Sequence, residues 1–341
     1  MRYPLSLLQH PPALPEIWRA HRADTFARER ERNPTRLQQY TEEALQKLLR
    51  HAYETVPFYR ELWNRHGLAP ANLTGLKDFS RLPRVSKPDL LAHPQVHRMS
   101  TTPAPAWPVW SSGTTTGTRQ FMVRDARADL ANSLTIRRYL RAFGISPGAV
   151  IIFLHAGERK PVYTEMRWRE WGTLRVHLHV LDFVASPRWM QTAIVITGPA
   201  RHLETVAQRY AETGLTSPKL FVNYSEPLSP AARARIARLI PTPITDVYCA
   251  SELSTLIGFT CPHQTGFHLN TDFLYIEVLN EQGLPCLPGE RGEVVVTDLV
   301  NFVAPLIRYR LGDVVVRGEA VVCPCGRGLP VGVERVEGRK V

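Results

Sequence analysis

The chain has no apolar run long enough to cross a bilayer, few cysteines, no polybasic block, no internal repeat and no low-complexity tract. Its strongest apolar stretches, "AVIIFL" and "AIVIT", fall far short of the roughly 20 residues of a membrane-spanning helix. The N-terminal "MRYPLSLLQHPPALPEIW" is broken by prolines and lacks the apolar core and small-residue cleavage site of a secretory leader. A cytoplasmic protein without a membrane partner is the expectation. Five cysteines cannot close a complete disulfide framework, and three of them keep company with histidine, which fits a reducing compartment and a metal. The formal charge of +11 is carried overwhelmingly by arginine, spread through segments such as "RLQQY", "RARIARL" and "RYRLGD". Charge spread in that way argues against a nucleic-acid-binding arm, and it suits a small anionic ligand.

What the chain does have is length and apolar content. At 341 residues it exceeds what one core usually supports, so two or three subdomains are expected. Residues 1–100 read as helical: "TRLQQYTEEALQKLLRHAYETV" repeats apolar residues at helical spacing and stops at Pro57, and "FYRELWNRHGL" restarts and closes on Gly67. A short helix starts at Ser86 within "SRLPRVSKPDLLAHP". Residues 101–271 read as an α/β core, because from Gly148 the β-rich runs "AVIIFL", "RVHLHVL", "TAIVIT" and "KLFVN" alternate with helical stretches. That alternation predicts a mostly parallel sheet flanked by helices. Residues 272–341, with "FLYIEVLN", "GEVVVTDLV" and "PLIRYRLGDVVV", predict an appended antiparallel β-subdomain.

Three short segments carry chemistry. Every residue from Ser111 to Thr118 in "WSSGTTTGTRQF" is serine, threonine or glycine. Glycine lets backbone N–H groups approach an oxyanion and the hydroxyls add donors, so the loop suits a polyphosphate, with Arg119 able to supply charge. A solvated turn is the plain alternative, and the Walker pattern is excluded because Thr118 and Arg119 stand where Lys-Ser/Thr would follow Gly117. "VYCASE" ends an apolar run with the aromatic Tyr248, the hydroxyl of Ser251 and the carboxylate of Glu252. "LIRYRLGD" places Asp313 just past a turn glycine, where it can accept hydrogen bonds from vicinal hydroxyls.

In order and spacing, "SSGTTTGT", "YCASE", "PLIRYRLGD", "CPCGR" and "VEGRK" resemble the phenylacetate-CoA ligase-like branch of the adenylate-forming superfamily. The resemblance runs from about Thr41 to Val341. It implies the multilayered large domain of that superfamily and a two-step reaction. A carboxylate attacks the α-phosphorus of ATP, pyrophosphate leaves, and a thiol of CoA or of a carrier protein, or an amine, then takes the acyl group. Ser111, Ser112, Gly113, Thr114, Thr115 and Gly117 would hold the β- and γ-phosphates. Tyr248 would stack on adenine, Ser251 would touch the α-phosphate, Glu252 would bind Mg²⁺ and Asp313 would clamp the ribose. Arg310 or Arg339 would approach the phosphates. The aromatics of "IIFLHAGE", "RWREWG" and "VNYSEP" favour an aryl or other small hydrophobic acid, and the chain could also pair as a homodimer.

Two departures from the family pattern stand out. An extra threonine and Arg119 alter the phosphate loop, and "NYSEPLSP" stands where relatives carry a glycine-rich segment against the adenine. The sequence given stops after "EGRK", where relatives continue through a hinge into a small C-terminal domain of about a hundred residues. Because that domain carries the adenylating lysine, the expectation is ATP binding with impaired adenylation. An ATP- or acyl-adenylate-binding module of low activity is the competing reading.

A second constellation lies in "FTCPHQTGFHLNTD" and "VVCPCGRGLP". Cys261, Cys323 and Cys325 with one imidazole suit a closed tetrahedral zinc site. The resemblance favours His268 as the nitrogen ligand, since relatives carry Gly-x-His there, and His263 is the alternate. Cys249 and Cys286 read as a packed neighbour and a turn residue.

Overall fold

A computed structural model describes residues 14–69, 76–110, 121–156, 161–167, 172–263, 266–319 and 323–339. The helix Pro34–Thr55 begins where Asn33 accepts a hydrogen bond from Arg36 N at 3.1 Å and proline fills the first turn. Leu37, Thr41, Leu45, Leu48, Leu49 and Ala52, spaced three and four apart, form its buried stripe. The helix ends at Val56 in extended conformation because Pro57 follows, and Pro57–Arg65 starts the next one. Gly67 then adopts φ +65°, the left-handed conformation that ends helices. Ser86 and Asp89 form a reciprocal capping box on Lys87–Leu91. These starts and stops are the ones the sequence announces. The helix Leu14–Arg32 adds an earlier element.

The chain divides into two units that interleave in sequence, one of residues 1–25, 133–248 and 258–267, the other of residues 26–132, 249–257 and 268–341. In the second unit β1 (Ala106–Trp110) and β2 (Phe121–Asp125) pair antiparallel, from Ala106 opposite Asp125 to Trp110 opposite Phe121.

The first unit holds β3 (Val150–His155), β4 (Tyr163–Arg167), β5 (Thr173–His179), β6 (Val195–Gly198), β7 (Leu220–Asn223), β8 (Ile244–Tyr248) and β9 (Gly258–Thr260). Their order is β9-β8-β7-β6-β3-β5-β4. The pairs β3–β5, β3–β6, β6–β7 and β7–β8 are parallel, whereas β4 runs antiparallel to β5 and β9 to β8. The fold is the expected α/β architecture, with helices such as Ala200–Thr213 burying Leu203, Val206 and Tyr210 against Ile152, Leu178 and Phe221. Tyr210 OH donates to Met190 O at 2.6 Å, so the largest side chain of that helix enters the core with its hydroxyl satisfied.

One aromatic rung in this sheet has a consequence for stability. His177 of β5 faces its register partners Phe153 and Tyr163, with the rings stacked at 4.7 and 4.4 Å. Its Nε2 is buried without a hydrogen-bond partner, and burial, reinforced by Arg175 and His155, lowers its pKa from 6.5 to about 4. The folded chain keeps this ring neutral while the unfolded chain protonates it. The contribution to stability is therefore complete above the unfolded value and is lost as pH falls from 6.5 towards 4. His177→Phe is expected to flatten that dependence, melting above the parent at pH 5 by more than at pH 7.5. Parallel pH profiles of the two melting temperatures would contradict this.

The second unit continues with β10 (Phe267–Leu269), whose first residue belongs to the first unit, and with β11 (Leu274–Leu279), β12 (Arg291–Asp298), β13 (Tyr309–Arg317) and β14 (Val331–Arg339). Strands β11 to β14 form the expected antiparallel meander. A bulge interrupts the β12–β13 register between Glu293 and Val295, opposite the stretch of β13 that contains Gly312 at φ +79°.

Candidate active site and metal centre

In the first unit, β6, β7 and β8 are neighbours and run parallel, so Gly198, Asn223 and Tyr248 end side by side at the carboxyl edge, where open α/β sheets bind ligands. Tyr248 is buried and meets Phe267 edge-on, with ring centroids 6.0 Å apart. Asn223 Nδ2 donates to Glu226 O at 2.9 Å and to Asp246 Oδ1 at 2.7 Å, folding "NYSE" back onto the strand end. Ser225 holds φ +71°. The backbone there is one that glycine adopts freely, so the segment keeps a glycine-type path with a serine on it.

In the second unit the loop after Tyr248 is pinned from both sides. The Arg124 guanidinium donates to Ser251 O at 3.0 Å and also to Leu253 O. Asp298, fully buried, accepts from Ser254 N at 2.8 Å, Val300 N at 3.1 Å and Asn301 N at 3.3 Å. Burial raises the pKa of Asp298, and Ser254, the Val300 N–H and Arg124 work against it. Ser251 and Glu252 are thereby presented by a fixed turn.

Asp313 on β13 is buried opposite Arg339 of β14 and pairs with it at 3.2 Å. Tyr309, four residues earlier on β13, lies within electrostatic reach of both acids: burial first, then the Glu252 and Asp313 carboxylates, push its phenol well above the usual range, and Arg339 opposes them. Glu252, Tyr309 and Asp313 therefore form one neighbourhood. Arg310 is exposed and forks onto Glu293 at 3.0 and 2.8 Å. The sequence-expected phosphate ligands Ser111, Ser112, Gly113, Thr114, Thr115 and Gly117 lie outside the described residues, as does Arg119.

A feature the sequence did not single out is the neighbouring Arg308. It is 4% exposed, holds φ +47°, forks onto Glu277 at 3.0 and 2.8 Å, and donates to Ser80 O and Leu82 O. Of the two arginines in "IRYR", the first thus anchors the start of β13.

In the second unit the ligand atoms of His268, Cys323 and Cys325 lie within 4.8 Å of one another, and Cys261, the fourth residue of the expected set, is buried in the first unit. His268 is fully buried, and its Nδ1 lies 3.1 Å from Leu329 O, which only an N–H can satisfy. That tautomer leaves the Nε2 lone pair facing Cys325 Sγ at 3.4 Å. Gly326, at φ +72°, closes the Cys-Pro-Cys-Gly turn with its N–H on Cys323 O at 3.0 Å. Arg327 pairs with Glu31 at 2.9 Å, and Gly328 N donates to Glu31 O at 2.6 Å. A Cβ on Gly328 would come within 2.8 Å of that carbonyl, so glycine is required for the approach. His263 is exposed and is not in the group.

No family model matches the chain. It is 28% identical over 313 residues to the phenylacetate-coenzyme A ligase of Thermus thermophilus, covering 86% of this chain and 68% of that protein. It is 27% identical over 293 residues to that of Escherichia coli K12, covering 81% and 66%. The chain thus spans about two-thirds of the length of these curated relatives. An open conformation of 2-hydroxyisobutyryl-CoA ligase, in complex with 2-HIB-AMP and CoA, superposes with a TM-score of 0.75 at 22% identity, covering 91% of this chain and 76% of that one. In sequence over most of its length, and in fold, the chain resembles the phenylacetate-CoA ligase-like branch of the adenylate-forming superfamily.

Proposed function

We propose that the chain activates a small carboxylic acid, aryl or otherwise hydrophobic, with ATP and passes the acyl group to a thiol, that of CoA or of a carrier protein. The observation that carries the reading is the Glu252–Tyr309–Asp313 neighbourhood in the second unit, set in a chain similar to CoA ligases. A carboxylate oxygen bonds to the α-phosphorus of ATP as pyrophosphate leaves. The thiol sulfur then bonds to the acyl carbon as AMP leaves with the electron pair. Phosphoryl transfer of this kind is catalysed chiefly by positioning and charge neutralisation. Asp313, ion-paired with Arg339, would accept hydrogen bonds from the ribose hydroxyls. Tyr248 would offer its ring to adenine, and Ser251 would touch the α-phosphate. Glu252 supplies the carboxylate for Mg²⁺, which neutralises charge on the phosphates when bound. Arg339 serves the nucleotide through Asp313, and the loop from Ser111 to Gly117 completes the phosphate grip.

The same proposal includes a structural zinc held by Cys261, His268, Cys323 and Cys325. Three thiols and one imidazole, with the second ring nitrogen committed to Leu329 O, match a closed tetrahedral shell.

Calorimetry with AMP and with ATP tests the nucleotide site. Asp313→Ala removes the carboxyl acceptor for two hydroxyls, worth about 1.5–3 kcal/mol, so both nucleotides should bind roughly 10- to 150-fold more weakly. Affinity unchanged within twofold would remove Asp313 from the site.

A further inference from the structure

A cavity in the second unit has Glu252 and Arg98 on its wall, with Met99, Met122, Pro305 and Leu306 supplying much of the rest. Arg98 ends the 3-10 turn Gln95–Arg98. Among the described residues it has no ion-pair partner, and its Nε is buried without an acceptor. Burial with no compensating charge holds its pKa below the usual arginine value. An arginine that merely decorates a surface keeps its head in water. Here the guanidinium shares a cavity with a carboxylate and yet does not pair with it, so the two opposite charges leave room for a ligand that satisfies both.

A metal-bound diphosphate has that character. The carboxylate of Glu252 takes the cation, and the fork of Arg98 takes phosphate oxygens, for which planar bidentate geometry is suited. The order of side chains agrees. Asp313 neighbours Tyr309, Tyr309 neighbours Glu252, and Glu252 shares its cavity with Arg98. A nucleoside triphosphate with its ribose on Asp313 and its cation on Glu252 would carry its terminal phosphates towards Arg98. We propose that Arg98 is a ligand of the β- and γ-phosphates of ATP and of the pyrophosphate released from it, and that it sets affinity for the polyphosphate and not for the nucleoside. The inference rests on the adenylating function proposed above.

Calorimetric titrations with magnesium pyrophosphate, ATP with Mg²⁺, and AMP separate the two. The parent chain should bind all three. Arg98→Met should weaken pyrophosphate and ATP by about 10- to 100-fold, the loss of a charge-assisted fork, and leave AMP within twofold, with an unchanged melting temperature. Arg98→Lys should recover part of the loss, since it restores charge without the fork. Pyrophosphate affinity unaffected in Arg98→Met would overturn the inference, as would equal weakening of AMP and pyrophosphate or a parent chain that binds AMP but no pyrophosphate. A parent chain that binds neither nucleotide would instead overturn the function on which the inference rests. Should Arg98→Met fail to fold, Arg98→Lys with parental pyrophosphate affinity and parental melting would equally count against the fork.

Discussion

Serine at Cys325 is expected to release one equivalent of zinc and to destabilise the chain far more than serine at Cys286. Cys325 Sγ faces the one lone pair that the hydrogen bond to Leu329 O leaves on His268. The turn that carries it is tied to Glu31 by Arg327 and Gly328, so the ion would cross-link segments far apart in sequence. A structural zinc contributes about 10–16 kcal/mol of apparent binding free energy in small zinc-folded peptides, and loss of one of four ligands should forfeit a substantial part of it here. Cys286 is buried where Cys325 is only half-buried, but its thiol only donates to Arg291 O at 3.4 Å, a contact serine can reproduce at a cost of about 1 kcal/mol. Metal analysis of gently purified protein alongside thermal melts of both variants decides the matter. Less than one equivalent of zinc in the parent, with equal melting of the two variants, would sink the metal centre.

Arg308→Met is expected to cost about 3–5 kcal/mol, the usual consequence of breaking a buried ion pair by removing one partner. It would strand the Glu277 carboxylate and leave Ser80 O and Leu82 O without their donor. The guanidinium also stands 5.7 Å from the centre of the Phe79 ring, so packing is lost with the charge. Because Thr297 Oγ1 accepts from Arg308 N at 2.9 Å and Val85 N donates to Arg308 O at 2.9 Å, the damage should spread into the start of β13. Nucleotide affinity, read through Asp313, should fall with it. The double variant Arg308→Met, Glu277→Leu should recover part of the stability, because it removes the stranded charge. Denaturant titration showing Arg308→Met within 1 kcal/mol of the parent would contradict the anchoring role.

Sequence alone conveyed the helix boundaries at Val56, Gly67 and Ser86, because caps, prolines and left-handed glycines act within a few residues of themselves. It conveyed the parallel core and the antiparallel meander for the same reason, since both follow from local periodicity. The antiparallel outer strand Tyr163–Arg167 was not legible. None of its residues is buried, and its identity as a strand comes from pairing with Thr173–His179 rather than from any apolar alternation of its own. The gathering of His268, Cys323 and Cys325 could be anticipated from residue type and resemblance. The choice of His268 over His263 acquires a physical reason only from Leu329 O, 61 residues away. Arg98 escaped notice for a related cause: nothing near "HPQVHRMS" marks that arginine as unpaired, and only the cavity shared with Glu252 does so.

Acid-dependent ATP–pyrophosphate exchange tests the central claim most directly, because it reports formation of the acyl-adenylate before any acceptor is involved. It should be run with a panel of aryl and short hydrophobic acids, on this chain and on the same chain with whatever sequence continues it. The account predicts exchange that requires one of the acids and Mg²⁺ and that falls about 10-fold or more in Asp313→Ala. Nucleotide bound at full strength with no exchange from any acid, in either form of the protein, would contradict it and leave an ATP-binding module in its place.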